Sequence, residues 1–321
     1  VEPDRGDLPQ RTAGGRLNPG DAAEAAGALD AHRPMLLGLA YRLLGSRHDA
    51  EDVLQEAYLR WVRVDRNEVG EPRRYLSRVV THLAMDRLRA RQAARETYVG
   101  PWLPEPVPTA PSPFGPLERA ELRDSLSTAL LHLLERLTPP ERAVYVLHTA
   151  FELPYAEIGE LLDRSAEDCR QLHHRASSRI GRDQRRFTAD RAEQKRLLDA
   201  FVAAADDGNL AALTDLVAAD ATAWSDGGGR VRAARNPVTG ADRVARFLLG
   251  VRDKGWPLTV HRTELNGQPA VVVSSAAGDR YAITLGTAAG RITDVFLVAN
   301  PDKLNWLPGT GPPARPGPVS P

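Results

Sequence analysis

Between Asp49 and Val62 the apolar residues Ala50, Val53, Leu54, Ala57, Tyr58, Trp61 and Val62 recur at the spacing of one buried helical face. Upstream, Pro34 suits a first helical turn, Leu36, Leu37, Ala40, Tyr41, Leu43 and Leu44 supply an apolar side, and Gly45 suits the stop. Ser46 to Asp49 then restarts a helix, which predicts an antiparallel pair. Arg63 to Glu71 lacks a period and reads as a loop. Pro72 opens a long helix whose buried side is Tyr75, Leu76, Val79, Val80, Leu83, Ala84 and Leu88. A further helix runs through Leu122, Leu126, Leu130, Leu133, Leu134 and Leu137 to Thr138-Pro139-Pro140. Thr138 with Glu141 forms a capping box for the next one, which buries Ala143, Val144 and Leu147. Leu153-Pro154 opens a third helix ending at Leu162, Asp163-Arg164 makes a turn, and Ser165 caps a fourth that buries Cys169, Leu172, Ala176 and Ile180. Short helix, tight turn and capped helix predict a helix-turn-helix.

Beyond Arg186 the texture changes. Leu197, Leu198, Phe201, Val202 and Ala205 make a helix ending near Asp207-Gly208, and Leu210, Leu213, Leu216 and Val217 make a second. Ala221 to Ser225, a glycine turn over Asp226 to Arg230 and a helix from Gly240 to Lys254 follow. Four strand-like runs close the region: Leu258 to Leu265, Ala270 to Ser275, Arg280 to Leu285 and Ile292 to Ala299. Helices followed by a curled antiparallel sheet predict an α+β cone. Before the helix-turn-helix, Pro101 to Pro116 holds seven prolines in sixteen residues, which blocks helix and central strand and enforces a semi-rigid linker. A linker has no local need for Trp102 and Leu103, so these predict either a docking peptide for another surface or a tryptophan resting on its own domain.

The 321 residues set a prior of about two or three domains. The expected partition is a disordered leader over 1–29, helical domains over 30–96 and 118–188 joined by the linker 97–117, the cone over 190–307, and a proline-rich tail over 308–321. Lys plus Arg and Asp plus Glu both number 42, so any nucleic-acid surface must be local. A single cysteine, Cys169, excludes an internal disulfide framework and is expected to be a small core residue. No apolar run of membrane-spanning length and no export signal are seen, which predicts a cytoplasmic protein with no membrane partner.

Charge is segregated along the helices. On the second, Leu59 points away from the buried stripe into a field of Asp52, Gln55 and Glu56, which reads either as a docking surface for a basic, partly apolar partner or as a solvated acidic face with one stray leucine. Between Arg73 and Arg95 stand seven arginines against one carboxylate, Asp86. That helix reads as a phosphate-binding surface or as a solvated basic face. On the fourth helix of the later group, Arg170, Gln171, His174, Arg175 and Ser178 lie off the buried side, where Arg suits guanine and Gln suits adenine in a major groove.

Asp49 to Trp61 resembles the core-binding helix of region 2 in sigma factors of the sigma-70 family, in particular the extracytoplasmic-function (ECF) type. The resemblance implies a fold of two all-α domains, region 2 and a region 4 helix-turn-helix, followed by an NTF2-like, SnoaL-like cone. It implies RNA polymerase core as the partner of Asp49, Asp52, Gln55, Glu56 and Leu59. The basic helix resembles the part of region 2 that holds the −10 promoter element, which assigns Arg73, Arg74, Arg78, Arg87 and Arg89 to phosphates and Tyr75 to base stacking. Tyr75 and His82 stand where the family often has Trp and Asn. The helix-turn-helix resembles region 4, which reads the −35 element through Arg170, Gln171, His174 and Arg175; Asp163 stands where its turn usually has Gly. Trp102-Leu103-Pro104-Glu105-Pro106 matches the linker of the ECF subgroup with a SnoaL-like C-terminal domain. Asp226-Gly227-Gly228-Gly229 and Asn300-Pro301-Asp302-Lys303-Leu304 resemble motifs of that subgroup, implying regulatory contact between cone and linker.

Relatives of the cone include isomerases, cyclases and epoxide hydrolases, which need a tuned carboxylate or His inside the cone. Asp294 and His261 are candidates to point inward, but fold analogy transfers no activity, and the expectation is a regulatory cone with no catalytic residue, metal or cofactor. Whether a small ligand occupies it is left open. Two other functions fit parts of the pattern: a helix-turn-helix regulator with a ligand-binding cone, and an NTF2-like isomerase or cyclase with a DNA-binding appendage.

Overall fold

In the computed structural model the described residues are 19–65, 69–94, 98–114, 124–184, 190–255, 257–275, 278–305 and 307. They form two compact units. The first is all helical: α1 (Pro19–Leu44), α2 (Arg47–Trp61), α3 (Pro72–Ala94), α5 (Pro139–Thr149), α6 (Tyr155–Leu162) and the start of α7 (Ala166–Gln184). Here α1 begins at Pro19, and Pro34, expected in its first turn, lies inside it. The alanine-rich stretch from Ala22 to Ala28 has enough helix propensity to extend the helix backwards. Residues 1–18 of the expected leader lie outside the described residues.

Local signals set the ends. Gly45 takes φ +66° and its N–H donates to the Tyr41 carbonyl at 2.6 Å, the stop that a left-handed glycine allows. The Ser46 hydroxyl accepts the Asp49 N–H at 3.1 Å and caps α2, which buries Ala50, Val53, Leu54, Ala57 and Trp61. Asp163, in place of the usual glycine, does adopt the left-handed conformation at φ 54°. The glycine needed is Gly159, because a Cβ there would lie 2.6 Å from the Arg164 carbonyl as the chain turns back over α6. Ser165 caps α7 by accepting the Asp168 N–H at 3.0 Å.

A charged group sits in the core of this unit. Arg142 on α5 is buried and donates through Nε and Nη2 to the Arg42 carbonyl of α1 at 3.4 and 3.2 Å. Arg42 donates to the Gly38 carbonyl at 3.0 Å and lies over the Phe151 ring. Burial disfavours both cations, pushing Arg42 down to about 10 and Arg142 well below its ordinary value.

The second unit contains the linker as far as Ser112, α4 (Thr128–Leu134), the end of α7, α8 (Arg191–Asp206), α9 (Leu210–Leu216), α10 (Ala241–Gly255) and a six-stranded sheet. Its strands are β1 (Val217–Asp226), β2 (Val238–Thr239), β3 (Leu258–Leu265), β4 (Gln268–Ser275), β5 (Arg280–Ala288) and β6 (Arg291–Val298), in the order β2-β1-β6-β5-β4-β3. The sheet is mixed rather than antiparallel, since β1 runs parallel to β6 with Trp224 opposite Phe296. Strand β2, the helix α10 and the β3–β5 meander lie between β1 and β6 in sequence, which supplies the long crossover that a parallel pair requires. Val217, expected at a helix end, instead begins β1.

Alternation gives the sheet two apolar faces. Val271, Val273, Ile283, Leu285, Val295 and Leu297 pack with α8, α9 and α10 inside the cone. Ala270, Val272, Ala282, Phe296 and Val298 form the outer face with Ala129 of α4 and Leu103 of the linker. Asp294 belongs to this outer face, where its Oδ1 accepts the Trp224 Nε1–H at 3.0 Å. His261 pairs directly across from Val272 and so lies on the same outer face, and neither candidate points into the cone. The interior cavity is about 70 Å³ and is lined mainly by apolar residues, with Asp206, Arg252 and Tyr281 as its polar members.

Candidate nucleic-acid interface and linker lock

The acidic face of α2 is smaller than its composition implies. Arg87 of α3 lies 3.5 Å from Asp49 and 3.2 Å from Asp52, and Arg91 lies 3.5 Å from Asp49. These pairs fasten α2 to α3. What remains outward is Gln55, exposed, Glu56, paired with Arg60 at 2.8 Å, and Leu59, 57 % exposed. Arg87, assigned to phosphates from the sequence, thus serves the helix pair.

On α3, Arg74, Arg78 and His82 succeed one another at single-turn spacing on one side. Arg73 and Arg89 are exposed, the latter paired with Asp86 at 2.6 Å. Tyr75 is half-buried against Trp61, with ring centroids 5.5 Å apart, and burial pushes its phenol above the ordinary value. Along α7, Arg170, Gln171, His174, Arg175 and Ser178 are exposed while Cys169, Leu172, Ala176 and Ile180 are buried. Arg170 and Gln171 both reach Glu167 one turn back, which orients them along the helix. Cys169 is a core residue whose thiol is pushed up by burial.

In the second unit the linker is clamped onto the cone around Asp226, at the end of β1. Its Oδ1 accepts the Tyr98 hydroxyl at 2.6 Å and the Gly228 N–H at 3.1 Å. Its Oδ2 accepts the Leu103 N–H at 2.8 Å and the Lys303 ammonium at 2.7 Å. The carboxylate is buried and every bond to it is charge-assisted. Lys303 also donates to the Leu103 carbonyl at 2.5 Å and lies 4.0 Å from the centre of the Trp102 ring. Leu103, Pro104, Glu105, Pro106 and Val107 are all buried. Full burial of the Leu103 side chain alone contributes about 2 kcal/mol.

The two sequence motifs converge here for steric reasons. Gly228 has φ +58°, and a Cβ on it would meet the Asn300 amide at 2.2 Å. A Cβ on Gly227 would lie 2.6 Å from the Val231 carbonyl, and Gly229, at φ +72°, approaches Val99. Asn300 caps the 3₁₀ turn Pro301–Lys303 by accepting the Asp302 N–H at 3.1 Å, which aims Lys303 inward. Arg230 and Asp302 pair at 3.1 Å on the outside, and Leu304 is buried.

A second clamp was missed from the sequence. In the β3–β4 turn Asn266 has φ 55°; its Oδ1 accepts the Val107 N–H at 2.8 Å, and its N–H donates to the Val107 carbonyl at 2.7 Å. Its Nδ2 donates to the Leu126 carbonyl at 3.1 Å, and Thr109 completes the joint through Glu264 and Gly267. The signal was present in Asn266-Gly267 between two strand-like runs, a hairpin turn whose asparagine side chain reaches another segment.

No helix of the described residues is long and apolar enough to cross a membrane. Among them no group of His, Cys, Asp and Glu is placed to hold a metal ion.

Residues 28–94 match the family model of sigma-70 region 2, and residues 127–180 match that of sigma-70 region 4. The ECF RNA polymerase sigma factor SigJ of Mycobacterium tuberculosis is 34% identical over 292 residues, covering 87% of this chain and 93% of that protein. The probable ECF RNA polymerase sigma factor SigI of the same species is 32% identical over 281 residues, covering 86% and 93%. The crystal structure of M. tuberculosis SigJ superposes with a TM-score of 0.71 at 31% identity, covering 87% of this chain and 98% of that one. With region 2 carried by α1 to α3, region 4 by α4 to α7 and a SnoaL-like cone following them in sequence, the chain belongs to the extracytoplasmic-function sigma factors of the sigma-70 family.

Proposed function

We propose that this sigma factor divides promoter-directed initiation among three surfaces and controls them through its own C-terminal cone. The outward side of α2, centred on Leu59 and Glu56, docks on RNA polymerase core. Arg73, Arg74, Arg78 and Arg89 of α3 hold the phosphates around the −10 element while Tyr75 and His82 meet bases. Arg170, Gln171, His174 and Arg175 of α7 read the −35 element. The protein acts where polymerase and promoter DNA are, in the cytoplasm.

The observation that carries the regulatory part is the Asp226 carboxylate, which binds the linker backbone at Leu103 and the cone's own Lys303 at once. A tethered domain reaches millimolar effective concentration, so a clamp of modest intrinsic strength is enough to fix the linker's path. The path of the linker limits where the two DNA-binding surfaces can stand. The test is promoter-dependent run-off transcription with purified core polymerase. Trp102→Ala and Lys303→Met are each expected to change transcript yield at least about threefold in the same direction, since contacts of a few kcal/mol shift populations that far. The double variant should go no further than the stronger single one. Simply additive effects would separate Trp102 from the cone.

A further inference from the structure

The donors of α3 already hold anions within the first unit. Arg74 is ion-paired with Glu160, and the Arg78 guanidinium donates to Asp163 Oδ1 at 2.5 Å. His82 Nε2 lies 2.9 Å from the Leu161 carbonyl and 3.8 Å from Asp163 Oδ2. The acceptors are two carboxylates and a last-turn carbonyl, all at the C-terminal end of α6, where the helix dipole is negative. Three donors at successive turns therefore face three oxygen acceptors clustered around one helix end. A nucleic-acid backbone likewise presents oxygen acceptors at regular intervals, anionic as Glu160 and Asp163 are, without any demand on base sequence.

We propose that the C-terminal end of α6 is an internal substitute for promoter phosphates, and that α3 must release Glu160 and Asp163 before it can grip DNA. This rests on the reading of α3 as a phosphate-binding surface. The arrangement suits a reversible guard. Each pair is partly open to water and therefore weak, so none locks the unit shut. The Arg142 guanidinium, buried against the Arg42 carbonyl in the same unit, would regain hydration when α5 and α6 leave α1 and α3, which favours release. Asp163 is also the residue that takes the left-handed position closing α6, so the carboxylate is held at a fixed place by the helix-turn-helix itself. A glycine there would make the turn more easily and provide no anion.

The test uses the full chain and a mixed-sequence single-stranded 20-nucleotide DNA, because phosphate contacts need no cognate promoter. Glu160→Gln with Asp163→Asn removes the charges while keeping shape, and asparagine tolerates the left-handed turn. Fluorescence anisotropy at low salt should show about three- to tenfold tighter binding than wild type, with a steeper dependence on salt as freed arginines meet phosphates. Asp242→Asn with Asp253→Asn, exposed positions on the cone, changes net charge equally and should shift affinity less than about twofold, as expected for a net-charge change that frees no arginine of α3. Arg78→Ala should cost more affinity in the Glu160→Gln, Asp163→Asn background than in wild type. A gain no larger than that of the charge-matched control, or an Arg78→Ala loss identical in both backgrounds, overturns the guard while leaving the DNA surface standing. An Arg78→Ala variant that binds like its parent in both backgrounds overturns the DNA surface as well.

Discussion

The ammonium of Lys303 lies 2.7 Å from the Asp226 carboxylate and 4.0 Å from the centre of the Trp102 ring, so one buried cation joins an ion pair and the linker. Removing one partner of such a pair leaves a buried charge uncompensated, at a cost of about 3–5 kcal/mol. Lys303→Met should therefore free the linker without touching either DNA surface. The Leu103 amide, bonded to the same carboxylate, is the reporter: its hydrogen exchange should accelerate by about a hundredfold or more, since ~1.4 kcal/mol is a factor of ten. Unchanged protection at Leu103 would mean that Lys303 does not hold the linker.

Asn266 offers a separable test of the second clamp. Asn266→Ala removes the acceptor of the Val107 N–H and places a Cβ-bearing residue without side-chain compensation at φ 55°. A cost of about 1–3 kcal/mol is expected. Exchange at Val107 should rise sharply while Leu103, held by Asp226, changes little. Equal acceleration at both amides would show that the linker detaches as one piece.

The helices were legible because burial and period coincide: the stripe Ala50, Val53, Leu54, Ala57 and Trp61 is the buried face of α2. Asp226, Asn300 and Lys303 were legible only as strings that resemble a family, since no local rule states that Asp226 and Lys303, 77 positions apart, bracket the same peptide. Period could not reveal Asp49 and Asp52 as partners of Arg87, because a charge off the buried stripe looks identical whether it meets solvent or a neighbouring helix. Strand direction was equally hidden. The β1–β6 pair is parallel through a crossover, and alternation within a strand is the same in either direction. Asp294, a candidate to point inward, is placed on the outer face by its pairing with Thr222 and by the Trp224 Nε1–H it accepts, neither of which alternation shows.

Polymerase docking should depend on Leu59 more cleanly than on Asp52. Leu59 is exposed, so Leu59→Asp should leave the melting temperature nearly unchanged while weakening core binding, with about 2 kcal/mol or more lost if it fills a pocket at the interface. Asp52→Asn breaks a pair with Arg87 inside the unit and should lower stability measurably, by up to about 1 kcal/mol. Native-gel or calorimetric titration with core polymerase, beside thermal melts, separates the two. Core binding unaffected by Leu59→Asp would exclude this face.

Promoter discrimination should reside on α7. Arg175 is exposed, off the buried stripe of Ala176 and Ile180, and Arg175→Ala should relax preference at one −35 position by about 1–3 kcal/mol. Arg73→Ala on α3 should instead weaken every promoter alike and reduce the salt slope by about one ion. Run-off yields over a set of single-base promoter variants distinguish the patterns. A uniform loss for Arg175→Ala would make it a phosphate contact.

Acid should loosen the helix-turn-helix through His173. Its Nδ1 lies 3.1 Å from the Tyr155 hydroxyl, and its ring lies 4.6 Å from His148 and 5.7 Å from Tyr145 by centroids. His148 Nδ1 is held against the Leu153 carbonyl at 3.0 Å, and Arg170 lies over the Tyr155 ring, so a second cation meets unfavourable company. Burial first, then His148 and His174, lower the His173 pKa. The unfolded chain, with His near 6.5, takes up the proton before the folded one does. Stability is therefore insensitive to this group above about pH 6.5 and falls as pH drops from there to the lowered folded value, below which the effect levels off. His173→Gln keeps a polar partner for Tyr155 and removes the titration. Urea unfolding followed from pH 7.5 to 5 should show a shallower decline for the variant than for wild type. Parallel curves would assign the acid sensitivity to other groups.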